Sequence, residues 1–209
     1  ESRNALARSQ ANLRRLSRRL KDQPELLDLI DAAQIAQEDV RLLFEEVRQY
    51  AAPLQINREL TDVGQLIRET WENLTPSHEG RNAQLRVDEM KRDLSCEVDR
   101  FSLRNAIRNI LENALAACEN PAIIDIAYAD ARIGSEDALQ ISFRDNGPGL
   151  SPDAAQRAFD TFFTTKTHGT GLGLAIVKRT VEAHGGGVAV GNGDGPGAEI
   201  IITLPRSRE

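Results

Sequence analysis

Cysteine is scarce in this 209-residue chain: the two present, Cys96 and Cys118, have neither metal-ligand spacing nor a partner cluster. A thiolate metal site is therefore excluded, and the pair reads as two buried, reduced thiols. Long apolar runs are missing too. None approaches the roughly 18 residues of a membrane span, and no secretory signal is visible. This stretch is accordingly expected to make no direct membrane contact and to reside in the cytoplasm, whether its parent is anchored or soluble. A basic excess is also lacking: 26 Lys and Arg face 32 Asp and Glu, a net charge of −6, which argues against a nucleic-acid partner. Glycine is absent from the first fifty residues. What remains, 40% apolar and 28% charged residues, is ordinary globular composition, in a length that holds one large or two modest domains of about 100–150 residues.

The glycine-free stretch has helical periodicity. Leu6, Leu13, Leu16 and Leu20 are spaced by seven, three and four residues. After the break Lys21-Asp22-Gln23-Pro24, the series Leu26, Ile30, Ala33, Ala36, Val40, Leu43, Val47 resumes the rhythm. Each series lays an apolar stripe along one helix, the pattern of a helical hairpin. Residues 3–21 hold seven basic and no acidic side chains, whereas residues 22–46 hold eight acidic ones and a single Arg41, so an antiparallel hairpin sets opposite charges side by side. Two helices cannot enclose a core. The stripe pairs either with a second copy, as a four-helix bundle, or with the rest of its own chain.

Pro53 ends the second helix. Beyond it the pattern predicts a helix over Asp62–Leu74 capped by Thr61, a strand at Ala83–Val87, an amphipathic helix over Asp99–Cys118, and strands near Ile123–Tyr128 and Leu139–Arg144. A helix starts at Ser151-Pro152, another spans Leu172–His184, and Val188–Val190 and Glu199–Leu204 finish as strands. The class is α+β, a helical hairpin followed by a sheet layered with helices on one face.

Three segments carry chemistry. Asn109 and Asn113, four apart, share a face of the amphipathic helix. Their amide oxygens are hard neutral ligands suited to a Mg²⁺ that takes its other oxygens from water and phosphate, although asparagine pairs on helices are more often simply solvated. In Asp145-Asn146-Gly147-Pro148-Gly149, a carboxylate at a strand end can accept from an exocyclic amine such as adenine's, and the glycines let backbone approach a ring; a turn without ligand fits as well. In Phe159-Asp160-Thr161-Phe162-Phe163-Thr164-Thr165-Lys166 and Gly169-Thr170-Gly171-Leu172-Gly173, glycines opening a helix expose N–H groups to an anion, and Lys166 adds a point charge.

In this order the segments resemble the N, first glycine, F and second glycine boxes of sensor histidine kinases, within the ATPase/kinase superfamily that also holds type II topoisomerases, Hsp90 and MutL. The resemblance covers about residues 57–205. It implies an α/β sandwich ATP-binding domain over 53–209 and, over 1–52, a dimerising hairpin that presents a phosphoacceptor histidine. It implies ATP and Mg²⁺ as cofactors, with Asn113 as the metal ligand assisted by Asn109. Asp145 would read the adenine amine beside a wall shaped by Gly147 and Gly149, while Lys166, Gly169, Thr170, Gly171, Leu172 and Gly173 form the lid and phosphate site. The short lid and Phe-Phe-Thr-Thr-Lys are similar to nitrogen-regulation-type sensor kinases.

Hydrolytic members of the superfamily place a glutamate four residues before the metal asparagine. Here Asn109 stands there, and Glu112 points about 100° away around the helix; transfer to a protein acceptor therefore fits better than ATP hydrolysis. Glu1-Ser2-Arg3-Asn4 resembles the end of the family's H box. The resemblance implies an acceptor histidine directly before Glu1, with Glu1 as general base and Asn4 positioning transfer or the water of the reverse reaction. The implied partners are a second copy of the chain and the receiver domain of a response regulator. His78-Glu79-Gly80-Arg81-Asn82 repeats the spacing between Pro76 and a strand, where a helix is not expected, and is not read as the acceptor. His168 reads as a loop residue, and His184 as a helix-end residue placed for the dipole.

Overall fold

The computed structural model describes residues 2–21, 23–74, 82–87, 92–166, 169–191 and 196–206. The chain divides into two compact units, residues 1–52 with 164–170, and residues 53–163 with 171–209. Among the described residues no helix is long and apolar enough to cross a membrane.

The first unit is built on α1 (Ser2–Arg19) and α2 (Pro24–Ala51). Pro24 occupies the first turn of α2, where its missing N–H has no helical partner to lose. Ala52, forced out of helical geometry by the proline after it, is extended at ψ 138° while its N–H still reaches Arg48 O. The helices meet where Gln37 Nε2 donates to Ser9 Oγ at 2.5 Å. Ile30 is buried and Leu6, Leu13 and Leu20 are half-buried, but Leu16, Leu26, Val40, Leu43 and Val47 stay exposed. Arg41 pairs with Glu38 and Glu45 of its own helix at 2.6 and 3.0 Å, exposed contacts that add little stability.

The second unit is a mixed sheet with helices packed on one face. Its strands are β2 (Ala83–Val87), β4 (Ala122–Ile133), β5 (Glu136–Asp145), β6 (Gly187–Val190) and β7 (Glu199–Pro205), in the order β2-β4-β5-β7-β6. Among the described residues only the β2–β4 pair of this sheet is parallel. Alternate residues of the central strands, Ile124, Ile126, Ile141, Phe143, Ile200 and Ile202, are buried beneath α3 (Val63–Leu74), α4 (Arg100–Ala117) and α6 (Gly173–Ala183). α4 answers with Leu103, Ile107, Ile110 and Leu111; each such side chain contributes about 1.5–3 kcal/mol on burial. On the opposite face one cross-strand row reads Arg86, Asp125, Arg144, Glu199, set opposite one another through the β2–β4, β4–β5 and β5–β7 registers.

β4 and β5 run further than periodicity predicts. Their pairing continues to Ile133↔Glu136, across a two-residue turn in which Gly134 takes φ +64°, a position that suits glycine. A two-stranded ribbon of β1 (Glu59–Asp62) and β3 (Ser95–Val98) is an addition to the expected elements, and it corrects the capping of α3. Thr61 lies inside β1, its hydroxyl turned to Glu59 O; the cap is Asp62, whose Oδ1 accepts from Gln65 N at 2.9 Å. α4 and the short α5 (Pro152–Arg157) begin as expected: Asp99 accepts from Ser102 N and Ser151 from Ala154 N. Both cysteines are buried and neither is in a disulfide; burial pushes the Cys96 thiol up to about 11, so it is no thiolate at neutral pH.

His184 ends α6 as expected, yet not as a cation on its dipole. It is completely buried. Nε2 accepts from Asp99 N at 2.8 Å, which leaves the ring proton on Nδ1, 2.7 Å from Thr180 O. Burial holds its pKa below the ordinary histidine range, so the ring is neutral. Asp99 Oδ2 also accepts from Asn57 N at 2.9 Å. The start of α4, the end of α6 and the chain at residue 57 are thus pinned at one point.

Candidate functional site

α4 turns its leucines and isoleucines to the sheet, which leaves Asn109 and Asn113 half-buried along its flank. One turn beyond Asn113, Ala117 O lies 3.1 Å from where a Cβ would stand on Gly147. The loop after β5 can press against the end of α4 because residue 147 has no side chain. Asp145, the last residue of β5, is buried. Its Oδ1 accepts from Gly147 N at 2.9 Å and from Ala198 N at 3.0 Å, while Oδ2 accepts no hydrogen bond among the described residues. One carboxylate oxygen is therefore fixed and the other is left to a donor from outside.

Two features hold that loop. Asn146 clips it to the start of β4: its Oδ1 accepts from Ile123 N at 2.8 Å and its Nδ2 donates to Pro121 O at 2.9 Å. On the other side Gly197 takes φ +95°, and a Cβ there would stand 1.7 Å from Asp145 O. Asp145 N donates to Ala198 O at 3.0 Å, so backbone lies directly on backbone. Sequence reasoning missed Gly197, Ala198 and Asn146; the available signal was Gly195-Pro196-Gly197 just before the last strand.

The third segment arrives from α6. Gly171 has φ +69°, and a Cβ there would lie 2.5 Å from Phe162 C and 2.6 Å from Phe163 N. Gly171 O accepts from Phe162 N at 2.9 Å, and this holds Phe162 at φ +64°, a conformation that costs a non-glycine residue about 1–2 kcal/mol. Leu172 is fully buried and supports the turn from below. α6 then opens at Gly173 with no side-chain cap, so its first N–H groups and the positive end of its dipole are available to an anion. A Cβ on Gly173 would stand 3.3 Å from Asn113 Nδ2, which sets the helix start against the asparagine.

α4 is thus the common wall: its last turn faces the Asp145 loop and Asn113 faces the start of α6. Glu112 is engaged on the helix surface by Arg108 at 3.4 Å. Lys166, Gly169 and Thr170 belong to the first unit, where Lys166 N donates to Thr164 Oγ1 at 3.1 Å, a Cβ on Gly169 would stand 2.9 Å from that same oxygen, and the Thr170 hydroxyl donates to the Glu46 carboxylate. Asn4 lies at the start of α1. Glu1, His78 and His168 fall outside the described residues.

Among the described residues no group of three or more His, Cys, Asp or Glu could hold a metal. The donors present, two neutral amides beside an uncapped helix start, fit a Mg²⁺ shared with phosphate oxygens rather than one caged by protein.

Residues 98–208 match the family model for the histidine kinase-, DNA gyrase B- and HSP90-like ATPases. The sensor histidine kinase ZraS of Salmonella typhimurium is 30% identical over 162 residues, 77% of this chain and 34% of that one. The signal transduction histidine-protein kinase AtoS of Escherichia coli is 39% identical over 129 residues, 58% of this chain and 20% of that one. The chain thus spans 34% and 20% of these two curated relatives. Among solved structures, the catalytic domain of histidine kinase ThkA superposes with a TM-score of 0.63 at 28% identity, over 72% of this chain and 96% of that one. ThkA in complex with the response regulator protein TrrA aligns over 99% of this chain and 61% of that one, with a TM-score of 0.73. At 23% identity that second likeness bears on fold alone.

Proposed function

Because this chain belongs to the histidine kinase-, DNA gyrase B- and HSP90-like ATPase family, we propose that it is the catalytic core of a sensor histidine kinase, which moves the γ-phosphate of ATP to a histidine and on to an aspartate of a response regulator, with regulator phosphatase activity as the reverse mode. The observation that carries the reading is Asp145, with Oδ1 saturated by two backbone N–H groups and Oδ2 open. Oδ2 accepts the exocyclic amine of adenine, beside the backbone of Gly147 and Gly149. The uncapped start of α6, with Gly171 and Gly173, receives phosphate oxygens, and Lys166, Gly169 and Thr170 are assigned to the lid by the family resemblance. Asn113, with Asn109 one turn before it, would hold Mg²⁺, which neutralises charge on the phosphates. An amide at 109 cannot serve as a base for water, which favours transfer over hydrolysis.

Residues 1–52 form the dimerising and phosphoacceptor hairpin and residues 53–209 the ATP-binding domain, in a short-lid kinase of the nitrogen-regulation type. The acceptor histidine belongs directly before Glu1, where Glu1 acts as base and Asn4 positions transfer. The exposed stripe on α1 and α2 supports pairing with a second copy, and the likeness to sensor histidine kinases is the ground for a response-regulator receiver domain as partner. The setting is cytoplasmic.

Asp145→Asn keeps an oxygen for the N–H groups of Gly147 and Ala198 but turns a donor toward the adenine amine. Calorimetry is expected to show ATP and ADP affinity falling roughly 10- to 150-fold, the loss of one charge-assisted hydrogen bond worth about 1.5–3 kcal/mol. Asn113→Ala is expected to reduce the Mg²⁺-dependent part of binding and to spare nucleotide binding in chelator. Unchanged affinity in the Asp145→Asn chain would remove this residue from the adenine site and the reading with it.

A further inference from the structure

Written in alternating steps of three and four residues, the inner seam of α1 is Leu6, Ser9, Leu13, Leu16, Leu20, and that of α2 is Leu26, Ile30, Ala33, Gln37, Val40, Phe44, Val47. Each seam contains one polar residue, and these two meet: Gln37 Nε2 donates to Ser9 Oγ. The pairing leaves a debt. Gln37 Oε1 is buried, yet no donor reaches it among the described residues. A buried acceptor without a donor is costly, and leucine at position 37 would serve the two helices of one chain better.

The apolar members of the seam are also incomplete, since Leu16, Leu26, Val40, Phe44 and Val47 remain 38–52% exposed. The seam is therefore open at its polar layer as well as at its apolar ones. Charge favours a like partner: residues 3–21 are purely basic and residues 22–46 predominantly acidic, so a second copy that lays its α2 beside this α1 meets complementary charge.

We propose that Ser9 and Gln37 form a polar layer that selects a second copy of this chain as partner. In a parallel bundle of two copies the layers lie at the same height, and Gln37 Oε1 takes its donor from the partner's Ser9 hydroxyl or the partner's Gln37 amide. A helical pair from another protein, with leucine or isoleucine at that height, leaves both polar groups dry and is rejected. The proposal deepens the dimer reading above and rests on it.

The test mixes mass-labelled full chains, wild type and Ser9→Ala/Gln37→Leu, and counts mixed dimers by native mass spectrometry after subunit exchange. The all-apolar variant is expected to self-associate about tenfold more tightly than wild type. Mixed dimers are expected at less than about a fifth of the abundance that indifferent pairing gives. The single variant Ser9→Ala, which strips only a partner from Gln37, is expected to weaken wild-type self-association about tenfold. Mixed dimers at the indifferent level would overturn the polar layer and leave the dimer intact. A wild-type chain that sediments as a monomer at every concentration would overturn the dimer and the layer together.

Discussion

Gly197→Ala is expected to abolish nucleotide binding and to destabilise the α/β unit by more than about 3 kcal/mol. Two costs add. An L-residue at φ +95° costs about 1–2 kcal/mol for its backbone alone. The new Cβ would also stand 1.7 Å from Asp145 O, a separation no pair of atoms tolerates, so one of the two backbones must move. The bonds that would open are those flanking the contact: Asp145 N to Ala198 O, and Ala198 N to Asp145 Oδ1. A buried group left unpaired costs about 1–3 kcal/mol, and the freed carboxylate no longer presents Oδ2 to a ligand. Gly134→Ala is the control. Its φ is also positive, at +64°, but a Cβ there meets nothing within 4 Å, so only the backbone cost applies, about 1 kcal/mol. Urea unfolding and calorimetry on both variants decide the matter. Equal destabilisation, with ATP still bound by Gly197→Ala, would show that this glycine does not support Asp145.

His184→Leu is expected to cost roughly 3 kcal/mol at pH 7.5, because the buried N–H of Asp99 loses its acceptor and Thr180 O loses the ring N–H, keeping only the longer bond from the backbone N–H of residue 184. The same substitution should reshape the pH dependence. Unfolded histidine takes up its proton near pH 6.5, whereas buried His184 does so only at lower pH. Below about pH 6.5 the unfolded chain therefore binds more protons, and stability is lost as pH falls toward the folded pKa, by at most about 1.4 kcal/mol per pH unit. Asp99 titrates in a separate window. Burial alone would raise its pKa, but the N–H groups of Ser102 and Asn57 outweigh this and hold it below the ordinary carboxylate value. Its contribution is present above about pH 4 and is lost as pH falls through its lowered pKa. In His184→Leu the upper loss should vanish while the lower one stays. Unfolding curves between about pH 7.5 and 2.5 test this; an unchanged slope from about 6.5 to 5.5 in the variant would assign the effect elsewhere.

Much of the fold is legible in the sequence where one element carries its own signal. α4 announces itself through Asp99 and a run of core positions, and α5 through Ser151-Pro152. β1 and β3 do not: they are four residues each, and in β1 only Thr61 is buried, a pattern that offers no alternation of apolar side chains. Thr61 reads as a helix cap because threonine so often is one, and only the pairing with Cys96 moves it into a strand. His184 is misjudged for a related reason. A histidine at a helix end is ordinarily solvated and charged, and nothing local reveals that Asp99, 85 residues earlier, will donate to it. The site divides along the same line. Asn109, Asn113, Asp145 and the glycines before α6 are visible as types at spacings that suit phosphate and adenine. Gly197 is not, because its reason for being glycine is an oxygen 52 residues away.

The open face of the sheet has one more consequence. Along β4 and β5 buried residues alternate with half-buried or exposed ones over most of their length, so a slip of one residue would turn the isoleucines outward. A slip of two would keep every side chain on its proper face, and burial would not detect it. The row Arg86, Asp125, Arg144, Glu199 would: displaced by two, Asp125 would face Ser142 or Asn146 in place of Arg144, and the alternation of sign across four strands would be lost. Cross-strand pairs of this kind contribute only about 0.2–1 kcal/mol each. Their effect is parity control, in which oil rejects the odd errors of alignment and charge rejects the even ones.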